Sequence, residues 1–179
     1  MDPALAGEAP AAVIVTLQLT AVFAAAALAA TSSAASAAEA QRQTQVERNG
    51  ERVMPFSQSA TMHHFVATPS GGVQTVLART ADREQVRLVR SHLRKEAAAF
   101  ARGDFADPAS IHGGDMPGLR ALHAGAARIA VRYADVPRGA SITYATRDAA
   151  LVAAIHAWFH AQASDHGAHA TMKMRRRAE

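Results

Sequence analysis

The chain has 179 residues, a length typical of one domain. It contains nine histidines, all from residue 63 onward, and no cysteine. Disulfide bonds, thiolate metal sites and covalently attached c-type haem are therefore excluded. The formal net charge is +4, but the basic residues are dispersed except at the C-terminus, which argues against a nucleic-acid-binding protein.

Residues 1–37 have the pattern of a secretory signal peptide. Residues 11–30 are apolar, and Ala35-Ser36-Ala37 fits the small-x-small pattern of a cleavage site. The first ten residues carry acidic side chains and no Lys or Arg, and the apolar run is long enough to span a bilayer, so an uncleaved anchor is the alternative. We therefore predict a periplasmic or secreted protein, in contact with a membrane only if this segment stays attached.

The first half of the domain is predicted as two strands and a helix. Residues 38–60 are polar and indicate a linker, and the domain is expected to cover residues 61–170. Alternating residues on both sides of the turn-forming sequence PSGG predict a hairpin over residues 62–80. Asp82 is a candidate N-cap for the helix that follows, which Gly103 ends. Residues 104–125 are Gly- and Pro-rich and predict a loop with short helices.

The second half repeats this pattern. Strands are predicted on either side of the turn VPRG, followed by a helix between the cap Asp148 and Gly167. Aligning Asp82 with Asp148 superposes the two halves as a ββα–loop–ββα pseudo-repeat. We predict an α+β two-layer sandwich, with a four-stranded, mainly antiparallel sheet and both long helices on one face. Residues 171–179 form a basic tail.

The histidines are the candidate functional residues. His63 and His64 are neighbours on a strand, so they point to opposite faces and at most one is expected to reach a site. His156 and His160 are four apart on a helix and can bind one metal ion together. Alternatively, His63 and His64 are exposed or edge residues of the strand, and His156 and His160 flank the hydrophobic core without a ligand.

Two further segments contribute candidate ligands. His166 lies at a helix C-terminus, where Asp165 could orient it toward a metal or the helix dipole could stabilise its charge. His112 and Met116 lie in the Gly-rich sequence IHGGDMPG, and imidazole with thioether suits copper. A packed loop without a ligand is the other interpretation.

Three sequence runs resemble a family of small exported bacterial proteins often labelled aspartate carbamoyltransferase. They are MHHF, SHLRKEAAAFARGDFADPASIHGGDMPGL and AIHAWFHAQASDHG, within residues 61–170. The carbamoyl-phosphate motif S-T-R-T of that enzyme is missing, and the domain is shorter than the two α/β domains the enzyme needs. The resemblance implies no catalytic residue, but it implies that the histidine-containing motifs belong to one unit.

We predict an exported protein that binds a transition metal, copper first and zinc second, and we leave its oligomeric state open. Non-covalent haem is a subordinate version. The alternatives are a small enzyme that uses His with a carboxylate as acid and base, and a non-catalytic binding module. The predicted ligands are His156, His160, His166, His112 and one of His63 or His64, with Asp165 as the orienting carboxylate and Met116 as a further candidate.

Overall fold

The computed structural model describes residues 34–175 and confirms the α+β class, with five helices and five strands in that range. The chain divides into two units between Ala40 and Gln41, and the sheet belongs to the second. The predicted signal peptide lies outside the described residues except for residues 34–37. Between residues 34 and 175, no helix combines the length and the apolar character needed to cross a membrane.

The sheet has five strands, not four. They are β1 (Thr61–Thr68), β2 (Gly71–Ala78), β3 (Ala130–Val136), β4 (Gly139–Ala145) and β5 (Ala170–Met174). Their order is β3-β4-β2-β1-β5, and every neighbouring pair is antiparallel except β1 and β5. The parallel fifth strand makes the sheet mixed, and it uses residues that we expected in the basic tail. It forms because a single turn of 3₁₀ helix returns the chain from the last helix to the edge of β1.

The helices α2 (Arg83–Ala101) and α5 (Ala149–His166) follow the two hairpins, as predicted. Asp82 accepts hydrogen bonds from the backbone at the start of α2, and Asp148 does the same for α5. Each cap satisfies backbone N–H groups that have no partner inside the helix. The connection between the hairpins contains two short helices, α3 (Ala106–His112) and α4 (Leu119–Gly125). The two halves therefore share a ββα order, but β5 has no counterpart in the first half.

One face of the sheet carries the hydrophobic core. Alternate residues of β1 are buried, Phe65 among them, and Phe65 lies opposite Phe159 of α5 with ring centres 5.2 Å apart. Tyr144 of β4 contacts both long helices, because its ring lies 6.2 Å from that of Phe100 and 5.6 Å from that of Trp158. Both long helices therefore pack against the same face, as expected for a two-layer sandwich.

The segment 38–60, which we expected to be a linker, is largely helical. A helix, α1, covers residues 34–53, and its residue Val46 is 3% exposed. Met54 and Phe56, which follow the helix, are also buried in the core. The polar composition of this segment concealed these few buried positions, because they are too widely spaced to form a continuous apolar stripe.

Candidate functional site

Three histidines from distant parts of the sequence meet in the interior. They are His63 of β1, His112 at the end of α3 and His166 at the end of α5, and each is less than 9% exposed. The ring centres of His63 and His166 are 4.4 Å apart, and those of His112 and His166 are 5.0 Å apart. We call this group the imidazole cluster. Each buried imidazole carries polar nitrogens that need hydrogen-bond partners.

Two of the three histidines of the imidazole cluster are the last residues of helices. α3 stops at His112 because Gly113 follows with φ of 98°, and α5 stops at His166 because Gly167 follows with φ of 50°. A residue with a side chain rarely adopts these φ values, so glycine ends each helix directly after its histidine. The strand β1 supplies His63 on its buried face, as alternation predicts.

Asp165 orients His112 and not, as predicted, its own neighbour His166. The Nδ1 atom of His112 lies 2.8 Å from Oδ2 of Asp165, and both side chains are almost fully buried. Arg42 of α1 donates to both carboxylate oxygens and, through Nη2, to the backbone carbonyl of His112 at 3.2 Å. Burial raises the pKa of Asp165, but the hydrogen bonds from His112 and Arg42 outweigh it and leave the pKa below its usual value.

His63 and His166 of the imidazole cluster are neutral at physiological pH. Burial lowers the pKa of His63 to about 3, and the charge of nearby histidines, above all His112, lowers it further. Burial and the neighbouring His63 also hold the pKa of His166 well below its usual value. Neutral imidazole is the form that binds metals and the form that can accept a proton.

A cavity of about 40 Å³ adjoins the imidazole cluster and is also lined by a pair of carboxyl groups and a further histidine. Glu96 of α2 and Asp107 of α3 line it, and their carboxyl groups are hydrogen-bonded to each other. Burial first, then Asp107, raises the pKa of Glu96 to about 8. His92 also lines the cavity, and burial lowers its pKa to about 4. At neutral pH Glu96 therefore holds a proton while His92 does not.

The other predicted ligands lie elsewhere. His156 is ten residues before His166 on α5, about 15 Å along a helix axis, and its Nε2 contacts the carbonyls of Thr68 and Gly71 at 3.0 and 2.9 Å. It joins α5 to the hairpin turn. His160 is exposed. The Nδ1 atom of His64 lies 2.8 Å from the hydroxyl of Thr171.

Met116 is buried in the core and does not line the cavity. Of the candidate residues, the structure therefore brings together His63, His112 and His166, with Asp165 beside them. The pair His156 and His160, which the helix spacing favoured, does not join them.

Several residues of the site were not predicted, and four of them show why. Glu96 and Gln162 occupy positions on the buried stripes of α2 and α5, and a polar residue in such a stripe is the signal that could have revealed them. Met54 lines the cavity, and Arg42 reaches Asp165. These two residues belong to a segment whose composition indicated a linker, so nothing in the sequence pattern placed them here.

Among residues 34–175, no three His, Asp or Glu side chains have their ligating atoms arranged as a ready-made metal site. Comparisons of the chain with models of protein families, with characterised proteins and with solved structures found no match. The imidazole cluster and the cavity beside it are therefore the features that indicate a function.

Proposed function

We propose that this chain is an exported transition-metal-binding protein in which His63, His112 and His166 are the ligands. The observation that carries the proposal is the close approach of three buried imidazoles from β1, α3 and α5. Export is proposed from the apolar run and the Ala35-Ser36-Ala37 sequence. N-terminal sequencing of the exported protein tests this part, and a chain that begins at Ala38 is the expected result.

The ring separations favour a shared ion. A zinc–imidazole bond is about 2.0–2.1 Å long and the ring centre lies roughly 1 Å beyond the nitrogen, so two imidazoles on one ion at about 90–110° have ring centres about 4.5–5 Å apart. The measured separations are 4.4 and 5.0 Å. The ring nitrogens do not yet converge, but the χ2 torsion of histidine is soft, and rotation of the rings about it moves the nitrogens without moving the backbone.

Protonation and hydrogen bonding also favour metal binding. His63 and His166 are neutral at pH 7, so an ion does not have to displace their protons. Asp165 engages Nδ1 of His112 and leaves Nε2 as its remaining ring nitrogen. A carboxylate that holds one nitrogen of an imidazole while the other faces a metal is a common arrangement in metal sites.

Copper is the first choice of metal. Imidazole suits Cu(II) and Zn(II), whereas thioether suits Cu(I). Met54 lines the same cavity as the three histidines, so a thioether is available at the site if the ion is reduced. The chain has no cysteine to favour zinc in a thiolate site.

The decisive experiment is elemental analysis of the full chain, purified without a His-tag or chelator, followed by titration with Cu(II), Cu(I) and Zn(II). We expect one ion per chain. Replacing His166 with Ala is expected to weaken binding at least 100-fold, because it removes the imidazole that contacts both of the others. His160→Ala, an exposed histidine on the same helix, is the matched control and is expected to bind normally.

Two results would overturn this proposal. The first is a wild-type chain that binds none of the three ions although circular dichroism shows it folded. The second is loss of binding in His156→Ala or His160→Ala with retention in His63→Ala and His166→Ala, which would return the site to the helix pair that the sequence suggested. Circular dichroism of each variant separates loss of a ligand from loss of the fold.

A second candidate function is acid–base catalysis. One observation favours it: His112 and Asp165 form a buried hydrogen-bonded pair of the kind that orients a catalytic base. This candidate requires a folded chain without stoichiometric metal. It also requires a reaction whose pH profile shifts when Asp165 is replaced by Asn, so the metal analysis separates the two functions before a substrate is known.

A further inference from the structure

The cavity beside the imidazole cluster is lined by residues with polar atoms that have no hydrogen-bond partner. Both ring nitrogens of His63, Oε1 of Glu96 and Nε2 of Gln162 are fully buried and make no hydrogen bond to any residue between 34 and 175. All three side chains line this one cavity. Their exposed fractions are 3%, 6% and 5%, so each is more than nine-tenths buried.

Several unpartnered polar atoms in one cavity lower the stability of the folded state. Each buried donor or acceptor without a partner destabilises a protein by about 1–3 kcal/mol, and most buried polar groups are therefore satisfied. Phenylalanine or leucine at these positions would remove that penalty. Three such polar side chains lining one small space instead indicate that a ligand satisfies them.

The chemistry of the cavity identifies what it can hold. Glu96 is hydrogen-bonded to Asp107, which the Nζ atom of Lys95 also contacts at 2.9 Å. Asp107 is thus the charged partner. Glu96 stays protonated and donates a hydrogen bond to Asp107. Oε1 of Glu96 is then a carbonyl acceptor, and Nε2 of Gln162 is a donor. His63 adds two ring nitrogens without a hydrogen-bond partner.

Charge argues against an anionic ligand. The lining contains no Lys or Arg among the described residues, and Asp107 contributes a negative charge. The nearest cation, Lys95, lies 2.9 Å from Asp107 and is already paired with it, so an anion placed here would lose its hydration without an unpaired cation to compensate, which is strongly unfavourable in a buried site. A neutral molecule avoids this penalty.

The volume of the cavity limits the size of the ligand. The cavity measures about 40 Å³, and one water molecule needs roughly 10–15 Å³ on this measure. There is room for a ligand of two or three non-hydrogen atoms. Amino acids, sugars and nucleotides are too large.

We propose that the cavity is a binding site for a small uncharged molecule of two or three non-hydrogen atoms that both donates and accepts hydrogen bonds. Oε1 of Glu96 accepts from it, Nε2 of Gln162 donates to it, and a ring nitrogen of His63 completes the site. Small primary amides and hydroperoxides have this chemistry. The site goes beyond the proposed metal binding and does not require it, although a metal at the imidazole cluster would lie next to this ligand.

The test uses the full chain, freed of metal by chelator and dialysis, and formamide as the probe. Titration is followed by ¹H–¹⁵N NMR. We expect saturable shifts at the side-chain amide of Gln162 and at the backbone of residues 63, 96 and 162. Gln162→Leu is expected to weaken formamide binding about tenfold, since it removes one buried hydrogen bond. Exposed Gln45→Leu is the matched control and should bind formamide like the wild type.

Two further probes sharpen the test. N,N-dimethylformamide lacks an N–H donor and is larger, and formate has the size of formamide but is an anion. Neither should give saturable shifts at pH 7. The proposal is overturned if formamide gives no saturable shift, if either control probe binds as tightly, or if Gln162→Leu binds formamide unchanged. Because no metal is present, failure here leaves the metal proposal standing, and the reverse also holds.

Discussion

At the scale of single residues, Asp165 is the side chain on which the imidazole cluster most depends. It connects α1 to α3 by accepting from Arg42 on one side and contacting His112 on the other. Replacing it with Asn removes the charge and offers an amide in place of one acceptor oxygen. The imidazole of His112 would then lose the partner that fixes its orientation and tautomer.

We predict that Asp165→Asn weakens metal binding 10- to 100-fold, as loss of an orienting carboxylate typically does. Competition titration against a chelator of known affinity measures this change. Asp115→Asn makes the same chemical change at an exposed loop position and should leave the affinity unaltered. Equal affinities for wild type and Asp165→Asn would mean that His112 is not a ligand.

The raised pKa of Glu96 predicts how the stability of the fold changes with pH. Its pKa in the folded chain is raised from 4.5 to about 8, so the folded state binds this proton more tightly than the unfolded state. The stabilisation that this proton provides is lost as the pH rises from 4.5 to 8. Glu96→Gln keeps a neutral side chain that can donate to Asp107 at every pH.

The advantage of Glu96→Gln over wild type should therefore grow between pH 5 and pH 7, by up to about 1.4 kcal/mol per pH unit. Urea unfolding at pH 5, 6 and 7 gives the two free energies to compare. In Glu51→Gln, which changes an exposed residue of α1, the difference from wild type should stay constant with pH. A constant difference for Glu96→Gln as well would show that Glu96 is ionised in the folded chain.

At the scale of elements, the hairpins and the long helices could be predicted from the sequence, whereas α1 and β5 could not. Alternation and helical periodicity are local signals, and Asp82 and Asp148 mark the helix starts directly. β5 depends on a parallel partner in β1, more than 100 residues earlier in the chain, so its pairing leaves no local pattern. α1 buries only scattered residues of a polar segment.

In the site too, local patterns predicted some features, whereas tertiary contacts determine the others. Alternation placed His63 on the buried face and His64 on the other, in agreement with the structure. The convergence of His63 with His112 and His166 depends on tertiary packing, and helix spacing instead favoured His156 and His160. One local signal was available: both clustered helix histidines are followed directly by a helix-ending glycine.

At this scale, the buried turn after α1 is expected to contribute to the stability of the fold. The ring of Phe56 lies 6.2 Å from His63 and 5.6 Å from His92, so it closes the cavity from the side of the N-terminal segment. We expect Phe56→Ala to lower the free energy of unfolding by about 3–5 kcal/mol, which is the typical effect of deleting a buried aromatic ring. Thermal and urea unfolding measure the change.

The comparison variant for Phe56 is Glu51→Ala, a truncation of an exposed side chain in the same segment. It should change the free energy of unfolding by less than about 0.5 kcal/mol. If Phe56→Ala were equally mild, the segment before Thr61 would contribute little to the fold and would behave as the linker that its composition suggests.

At the scale of the whole molecule, the interior contains several histidines that must stay neutral for the chain to remain folded. Burial lowers the pKa of His63 to about 3 and that of His92 to about 4, and it lowers the pKa of His166 as well. In the unfolded chain each has its ordinary value near 6.5. Between these values the unfolded state binds more protons than the folded state, so acid favours unfolding.

We therefore predict that the contribution of these histidines to stability is fully present above pH 6.5 and is lost as the pH drops toward 4, by up to about 1.4 kcal/mol per pH unit for each buried neutral histidine. His63→Phe keeps a ring of similar size and removes one such group, so its stability should fall less steeply than that of wild type between pH 6 and pH 5. The opposing effect of Glu96 is present in both proteins and cancels in the comparison. His160→Ala removes an exposed histidine and should keep the wild-type slope. Parallel curves for wild type and His63→Phe would mean that His63 is charged in the folded state, and the imidazole cluster would then repel a metal cation.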